Sequence, residues 1–343
     1  MIWLHWRQFR GQALAGALAL ILATGYLLYV GVDVRDGYEA YRSRCGDGGG
    51  GDCARARSQF RSAHENTLLF LAAGLALVPA VLGAFWGAPM VARELENGTH
   101  RLVWNQSVTR TRWLLTKVAF VGAAAVLLTG ALATLLTWAA APFDEVVQNR
   151  FGALEFGARH LVPFGHAALA VTFGTLVGLL LRRTLPAMAV TLVGFVAFQF
   201  FFPNVVRPVL VAPETTTLRV TAETINGARS LGGIGGGPVI GGLRLPDAPD
   251  AWIAETSPLR TADGADLDGA RFNDCLDDPP RTGAGGTFGD TAVCLAGHDL
   301  HVDVRYHPGS RYGTFQLLET AIYLVLGAAL TALGLGRIRR RVS

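Results

Sequence analysis

Six stretches of the chain run for about 20 residues or more with almost no charged position, the length a helix needs to cross roughly 30 Å of hydrocarbon. They fall at 12–32, 67–92, 113–141, 161–181, 184–206 and 315–336. The pattern predicts an all-α polytopic membrane protein with six transmembrane helices. Arg7 and Arg10 precede the first stretch as they would a secretory signal, but its apolar run from Ala13 to Val30 exceeds a usual signal core and reads as a helix. The remainder is expected to be connection. One connection, 207–314, is too long for a bare loop and predicts a small separate domain. Its glycine-rich middle, Gly232 to Gly242, is expected to be flexible. Leu300, Val302, Val304 and Tyr306 alternate with His301, Asp303, Arg305 and His307 as a half-buried strand does. A solvent-facing strand edge explains those histidines better than a metal. The expected organisation is five helices over 1–206, a domain over 207–314, and a sixth helix with a basic tail over 315–343.

Charge adds an orientation. Only 16% of residues are charged, against roughly a quarter in soluble domains, so membrane protein is the class. Lys and Arg accumulate on the cytoplasmic side of short connections. With both termini inside, the inner pieces hold thirteen basic residues, among them Arg93, Arg101, Arg110, Arg112 and Lys117, against two acids, Glu94 and Glu96. The outer pieces then hold 17 basic residues against 23 acids in far more sequence. The same topology puts Cys45, Cys53, Cys275 and Cys294 outside, where disulfides persist, and their placement suggests local pairs, Cys45 with Cys53 and Cys275 with Cys294. Unpaired thiols are the alternative. No metal site is expected. The domain at 207–314 is then extracellular, and a multi-pass protein of the cell membrane is expected, a bacterial one by the family resemblance drawn below.

The connection after the second span is the most specific part of the sequence. A helix carrying Arg93, Glu94 and Glu96 should stop at Asn97-Gly98, which suit a left-handed C-terminal cap. Thr99 can then cap a short helix over His100 to Gln106, and Ser107 or Thr109 can cap the third span. No P-loop is present: the only lysine, Lys117, stands between Thr116 and Val118, outside any GxxxxGK pattern. HExxH, GxSxG and EF-hand patterns are absent as well. Glu319 is the one carboxylate inside an expected span, about a turn from its outer end. A water-accessible interfacial acid and a buried functional one are the two readings of it.

The run Arg93-Glu94-Leu95-Glu96-Asn97-Gly98-Thr99, followed by Arg110 and Lys117, resembles the signature after the second helix of ABC-2 type permeases, which reads RE, then E, then GT, then R and K. His307-Pro308-Gly309-Ser310-Arg311-Tyr312 with Phe315, Gln316, Glu319 and Thr320 looks like the sixth-helix entry of actinobacterial members. The resemblance implies a permease subunit of an ATP-driven exporter of an apolar or amphipathic compound, not itself an enzyme. It implies a second permease chain, identical or not, and a separate cytoplasmic ATPase that binds ATP and magnesium, so this chain needs no cofactor. It further implies ATPase coupling through 93–112, with Arg101, Leu102 and Trp104 as contacts. Trp104 as a headgroup anchor competes with that role. The membrane is a partner and nucleic acid is not.

Three weaker patterns complete the reading. Trp3, Trp6 and Phe9 beside Arg7 and Arg10 suit either an interfacial helix or an aromatic flank of the first span. Phe195, Phe198, Gln199 and Phe202 share one face of the fifth span, either as a substrate path or as lipid-facing rings around a packed glutamine. Gly83 with Gly87 and Gly174 with Gly178 are small-xxx-small pairs that permit close helix approach. A sensor of the same architecture, or a membrane-embedded enzyme, are the rival functions.

Overall fold

The computed structural model describes residues 2–45, 50–99, 109–234 and 237–341. The chain divides into two compact units, Met1–Arg207 with Gly313–Ser343, and Pro208–Tyr312. Among the described residues the helices in chain order are α1 (Ile2–Cys45), α2 (Gly50–Leu82), α3 (Ala88–Glu96), α4 (Arg110–Val147), α5 (Ala153–Ala158), α6 (Val162–Leu181), α7 (Thr184–Phe201), α8 (Ala222–Asn226), α9 (Gly269–Asp277), α10 (Gly289–Ala296) and α11 (Tyr312–Arg341).

Among the described residues six helical stretches are long and apolar enough to cross a membrane: Leu14–Cys45, Arg55–Glu96, Arg110–Val147, Val162–Leu181, Thr184–Val209 and Gly309–Arg339. The first three overrun the expected spans. With 44 residues, α1 is about 66 Å long at 1.5 Å per residue, more than twice the hydrocarbon thickness. The polar stretch after residue 32 is therefore mostly helix and not open connection. Asp33, Arg35 and Asp36 end an apolar run, but none of them ends a helix. Several polar groups there find partners on neighbouring helices. Arg35 lies 3.7 Å from the centre of the Trp138 ring and donates to the Trp138 carbonyl at 2.8 Å. Tyr38 donates to Glu145 at 2.5 Å, and Asp33 sits 3.3 Å from His64. A Cys45–Cys53 disulfide joins the facing ends of α1 and α2.

Contacts that climb α1 and α4 together, Gly31 on Trp138 and Tyr38 on Glu145, make these two helices parallel, as a first and a third pass must be. At the end where α4 begins, Arg339 of α11 reaches Thr111 at 3.4 Å. The start of α1 and the end of α11 thus lie at that same end.

The two glycine pairs meet each other. A Cβ on Gly83 would stand 2.6 Å from the Ala170 carbonyl, one on Gly87 2.8 Å from that of Val171, and one on Gly178 2.6 Å from that of Ala88. The backbones of α6 and the second span are packed so closely that no side chain fits between them. The same stretch, Gly83–Gly87, is a π turn, as is Phe202–Val206 beyond α7. Prolines account for both: Pro89 follows the first and Pro203 lies within the second, and a missing N–H with ring crowding widens the ladder.

The second unit is built on an antiparallel sheet of order β1-β5-β4, from β1 (Glu214–Arg219), β4 (Trp252–Thr256) and β5 (His301–His307), with a separate hairpin of β2 (Ser230–Ile234) and β3 (Gly237–Gly241). Val302 and Val304 of β5 are buried with Ile225, Leu259, Phe272 and Leu295. The glycine-rich run forms a paired hairpin instead of a loose loop, with Gly232 opposite Val239 and Gly233 opposite Pro238. Ile240, buried in the core, fixes its register. A Cys275–Cys294 disulfide ties α9 to α10. Among the described residues, Cys275, Cys294 and His298 are the one cluster of metal-ligating type, and the disulfide occupies both sulfurs.

Candidate functional site

The signature segment is bolted to the bundle at two points. Glu94, at the end of α3, pairs with Lys117 of α4 at 2.5 Å. The Lys117 ammonium also donates to the Met90 carbonyl at 3.1 Å and lies 4.7 Å from the centre of the Trp113 ring. An amine inside a helix bundle needs such satisfaction, because an unpaired buried charge is strongly destabilising. Two residues on, Glu96 accepts from the Thr184 amide at 2.9 Å and the Thr184 hydroxyl at 2.6 Å. Thr184 is the first residue of α7, so Glu96 satisfies an orphan N–H and places a negative charge at a helix N-terminus, both favourable. The two acids hold α3 to α4 and to α7.

Past Glu96 the helix stops as Asn97-Gly98 suggests. Asn97 donates to the Arg93 carbonyl at 3.0 Å, and Gly98 has φ +70°. A residue with a Cβ is strained there, although the space around it is open. Thr99 contacts the Glu94 carbonyl at 3.5 Å. The chain is described again at Thr109, whose side chain accepts from the Arg112 amide at 3.3 Å and caps α4. The expected short helix His100 to Gln106, with Arg101, Leu102 and Trp104, lies outside the described residues, as does Ser107. Arg93 is exposed and Arg110 half-buried on either side of it. Beneath them Val91, Trp113, Leu114, Leu179 and Ile338 make one apolar cluster from four helices.

The opposite end of the unit carries a buried polar network. Arg207 forms an ion pair with Glu319 through Nε and donates a second bond at 3.2 Å. Tyr323 donates to the same carboxylate at 2.9 Å, and the guanidinium lies 3.9 Å from the centre of the Phe156 ring. Glu319 is fully buried, which corrects the interfacial, water-accessible reading. Next to it, Gln316 accepts from the Leu161 and Val162 amides at 3.0 Å and donates to the Phe156 carbonyl at 3.1 Å, binding α11 to the start of α6. In the last turn of α4, Asp144 pairs with Arg159 at 2.8 Å. Sequence reasoning missed Arg207 by assigning it to the outer segment. The signal was available: a lone carboxylate in a span needs a cation, and Arg207 closes the fifth span.

The proposed path residues separate. Phe195, Phe198 and Phe202 form a chain of rings at 5.9 and 5.6 Å that ends on Tyr323 at 4.8 Å. Gln199 turns to α2 and donates to the Ala76 carbonyl at 2.7 Å. Phe195 and Phe202 are buried, while Phe200 and Phe201 face outward. Phe195 and Phe198 also line a cleft of about 260 Å³ between α6, α7 and α11.

Six span-length helices among the described residues, with a turn after the second span clamped to the third and fifth, define a multi-pass membrane protein. The model of the family described as ABC-2 membrane transporter related matches residues 17–207. The chain belongs to that family, and the match takes in the first five spans together with the signature. No curated protein and no solved structure matches the chain.

Proposed function

We propose that the protein is the permease subunit of an ABC exporter, driven by a separate ATPase that docks on the segment 93–112 and working with a second permease chain. The observation that carries this reading is the clamping of Glu94 to Lys117 and of Glu96 to Thr184. A segment joined to three helices at once transmits a push on its exposed turn into the bundle, whereas a free loop would absorb it. In this reading both termini and the signature face the cytoplasm and the Pro208–Tyr312 unit faces outward, in accord with the basic residues near the signature. The cargo is apolar or amphipathic, because the aromatic chain from Phe195 to Tyr323 offers rings and a buried Arg207–Glu319 ion pair in place of a row of charges.

The test has two arms. Single cysteines introduced in a cysteine-free background at 104 and 340 should be protected in intact cells, and those at 50 and 260 should be labelled from outside. An ATPase should copurify with the chain, and the reconstituted pair should hydrolyse ATP and move an apolar dye. Labelling of position 104 from outside would refute the topology. A chain that retains no ATPase would favour the sensor reading.

A further inference from the structure

We infer that the cleft between α6, α7 and α11 holds one acyl chain of a phospholipid from the surrounding bilayer. The inference goes beyond the transport reading and does not rest on it.

Depth is the first argument. Leu169 and Phe173 lie near the middle of Val162–Leu181, Gly194 and Phe195 near the middle of Thr184–Val209, and Leu326 near the middle of Gly309–Arg339. The cleft therefore opens at the level of hydrocarbon, not of headgroups. Chemistry is the second. Every lining side chain is apolar, and the nearest polar side chain on that stretch of α7, Gln199, is committed to the Ala76 carbonyl of α2. Nothing in the cleft would reward a hydroxyl, an amide or a charge, and a polar ligand would lose its hydrogen bonds on entry.

Size decides between the remaining occupants. At about 260 Å³ the cleft falls below the ~300 Å³ at which pockets for drug-sized ligands begin. A helix from a second copy, about 10 Å across, does not enter a notch between three helices of one chain. A single flexible hydrocarbon chain does. Gly194 lets the Phe173 ring lie close against the α7 backbone in the wall of the notch: a Cβ there would stand 3.1 Å from that ring. Leu169 and Phe195 are buried at its floor, and Leu326 is exposed at its mouth, so the opening is sideways, toward lipid. Burial of apolar surface between unlike shapes favours the chain through dispersion contacts that bulk lipid, sliding past a smooth helix, does not provide.

The experiment uses the full chain reconstituted in nanodiscs of phosphatidylcholine that carries a diazirine near the middle of one acyl chain. After irradiation and proteolysis, mass spectrometry maps the labelled residues. Labelling at Phe198, Leu326 and Leu330 is expected to exceed that at the outward-facing Phe200 and Val325 several-fold. Gly194→Leu, which crowds the notch wall and displaces the Phe173 ring, should remove most of the excess and leave Phe200 and Val325 unchanged. Leu330→Trp provides a second block should the first variant fail to insert. Uniform labelling of cleft and lipid-facing residues, or an excess that survives both blocks, would overturn the inference. So would an absence of lipid label at Leu326 accompanied by Leu326→Cys cross-linking to a second chain.

Discussion

At the end of the membrane unit that bears the signature, Glu94 keeps 15% of its side chain exposed while it pairs with Lys117. At the opposite end Glu319 has no exposure and shares its carboxylate between Arg207 and Tyr323. When the first pair parts, water can reach Glu94, and the Lys117 ammonium keeps the Met90 carbonyl and the Trp113 ring. The second cannot part without stranding a charge in low dielectric. One clasp is built to give, the other to hold. The backbone says the same: beyond the first clasp stands a left-handed glycine turn, whereas Gln316 fastens the second region to two amides of another helix.

The largest effect should come from the holding end. Arg207→Met leaves Glu319 as an uncompensated buried charge and should cost about 3–5 kcal/mol, read as a lower unfolding midpoint in mild detergent. The double variant Arg207→Met with Glu319→Leu should recover most of that loss, because an apolar pair has nothing to strand. Lys117→Met should cost less, about 1–3 kcal/mol, since Glu94 keeps contact with water. Equal losses at the two ends would erase the contrast drawn above.

Smaller still is the conformational cost of Gly98→Val, about 1–2 kcal/mol at a left-handed position. Insertion should survive it, and ATP hydrolysis should lose its link to efflux. Normal efflux at equal expression would remove the turn from the mechanism. The smallest effect belongs to the Pro208–Tyr312 unit and serves as a control for the membrane clasps. Burial, then the nearby Arg311 guanidinium, holds the His307 ring below its ordinary pKa. A depressed histidine is neutral in the fold, so its contribution is complete above the unfolded value near 6.5 and is lost progressively as pH falls from there through the lower folded value. Amide exchange between about pH 7.5 and 5.5 should quicken within this unit, and His307→Asn should flatten the change.

Apolar run length was enough to read six spans and their order, and the spacing of Arg93, Glu94, Glu96, Gly98 and Lys117 was enough to read the family. Helix ends were less legible, because hydropathy reports where lipid stops and not where hydrogen bonds stop. Thus α1 runs on through Asp33 and Asp36 to Cys45. Partnerships across the sequence were not legible at all. Glu319 meets Arg207 over 112 positions and Glu96 meets Thr184 over 88, and only packing brings such residues together. The glycines illustrate both limits. Gly83, Gly87, Gly174 and Gly178 were visible as two pairs but not as one crossing, and the run from Gly232 looked loose because its register depends on Ile240 reaching a core made elsewhere.

Lys117 is the only lysine in 343 residues, and its amine is held against Glu94, Met90 and Trp113. The protein therefore contains a built-in reporter. Apart from the chain's N-terminus, an amine-acylating reagent has one place to react, and it reacts there only while the clasp between α3 and α4 stands open. The acylation rate of a single tryptic-resistant site, followed by mass in the presence and absence of nucleotide and partner, would time the opening of that clasp in the unaltered chain.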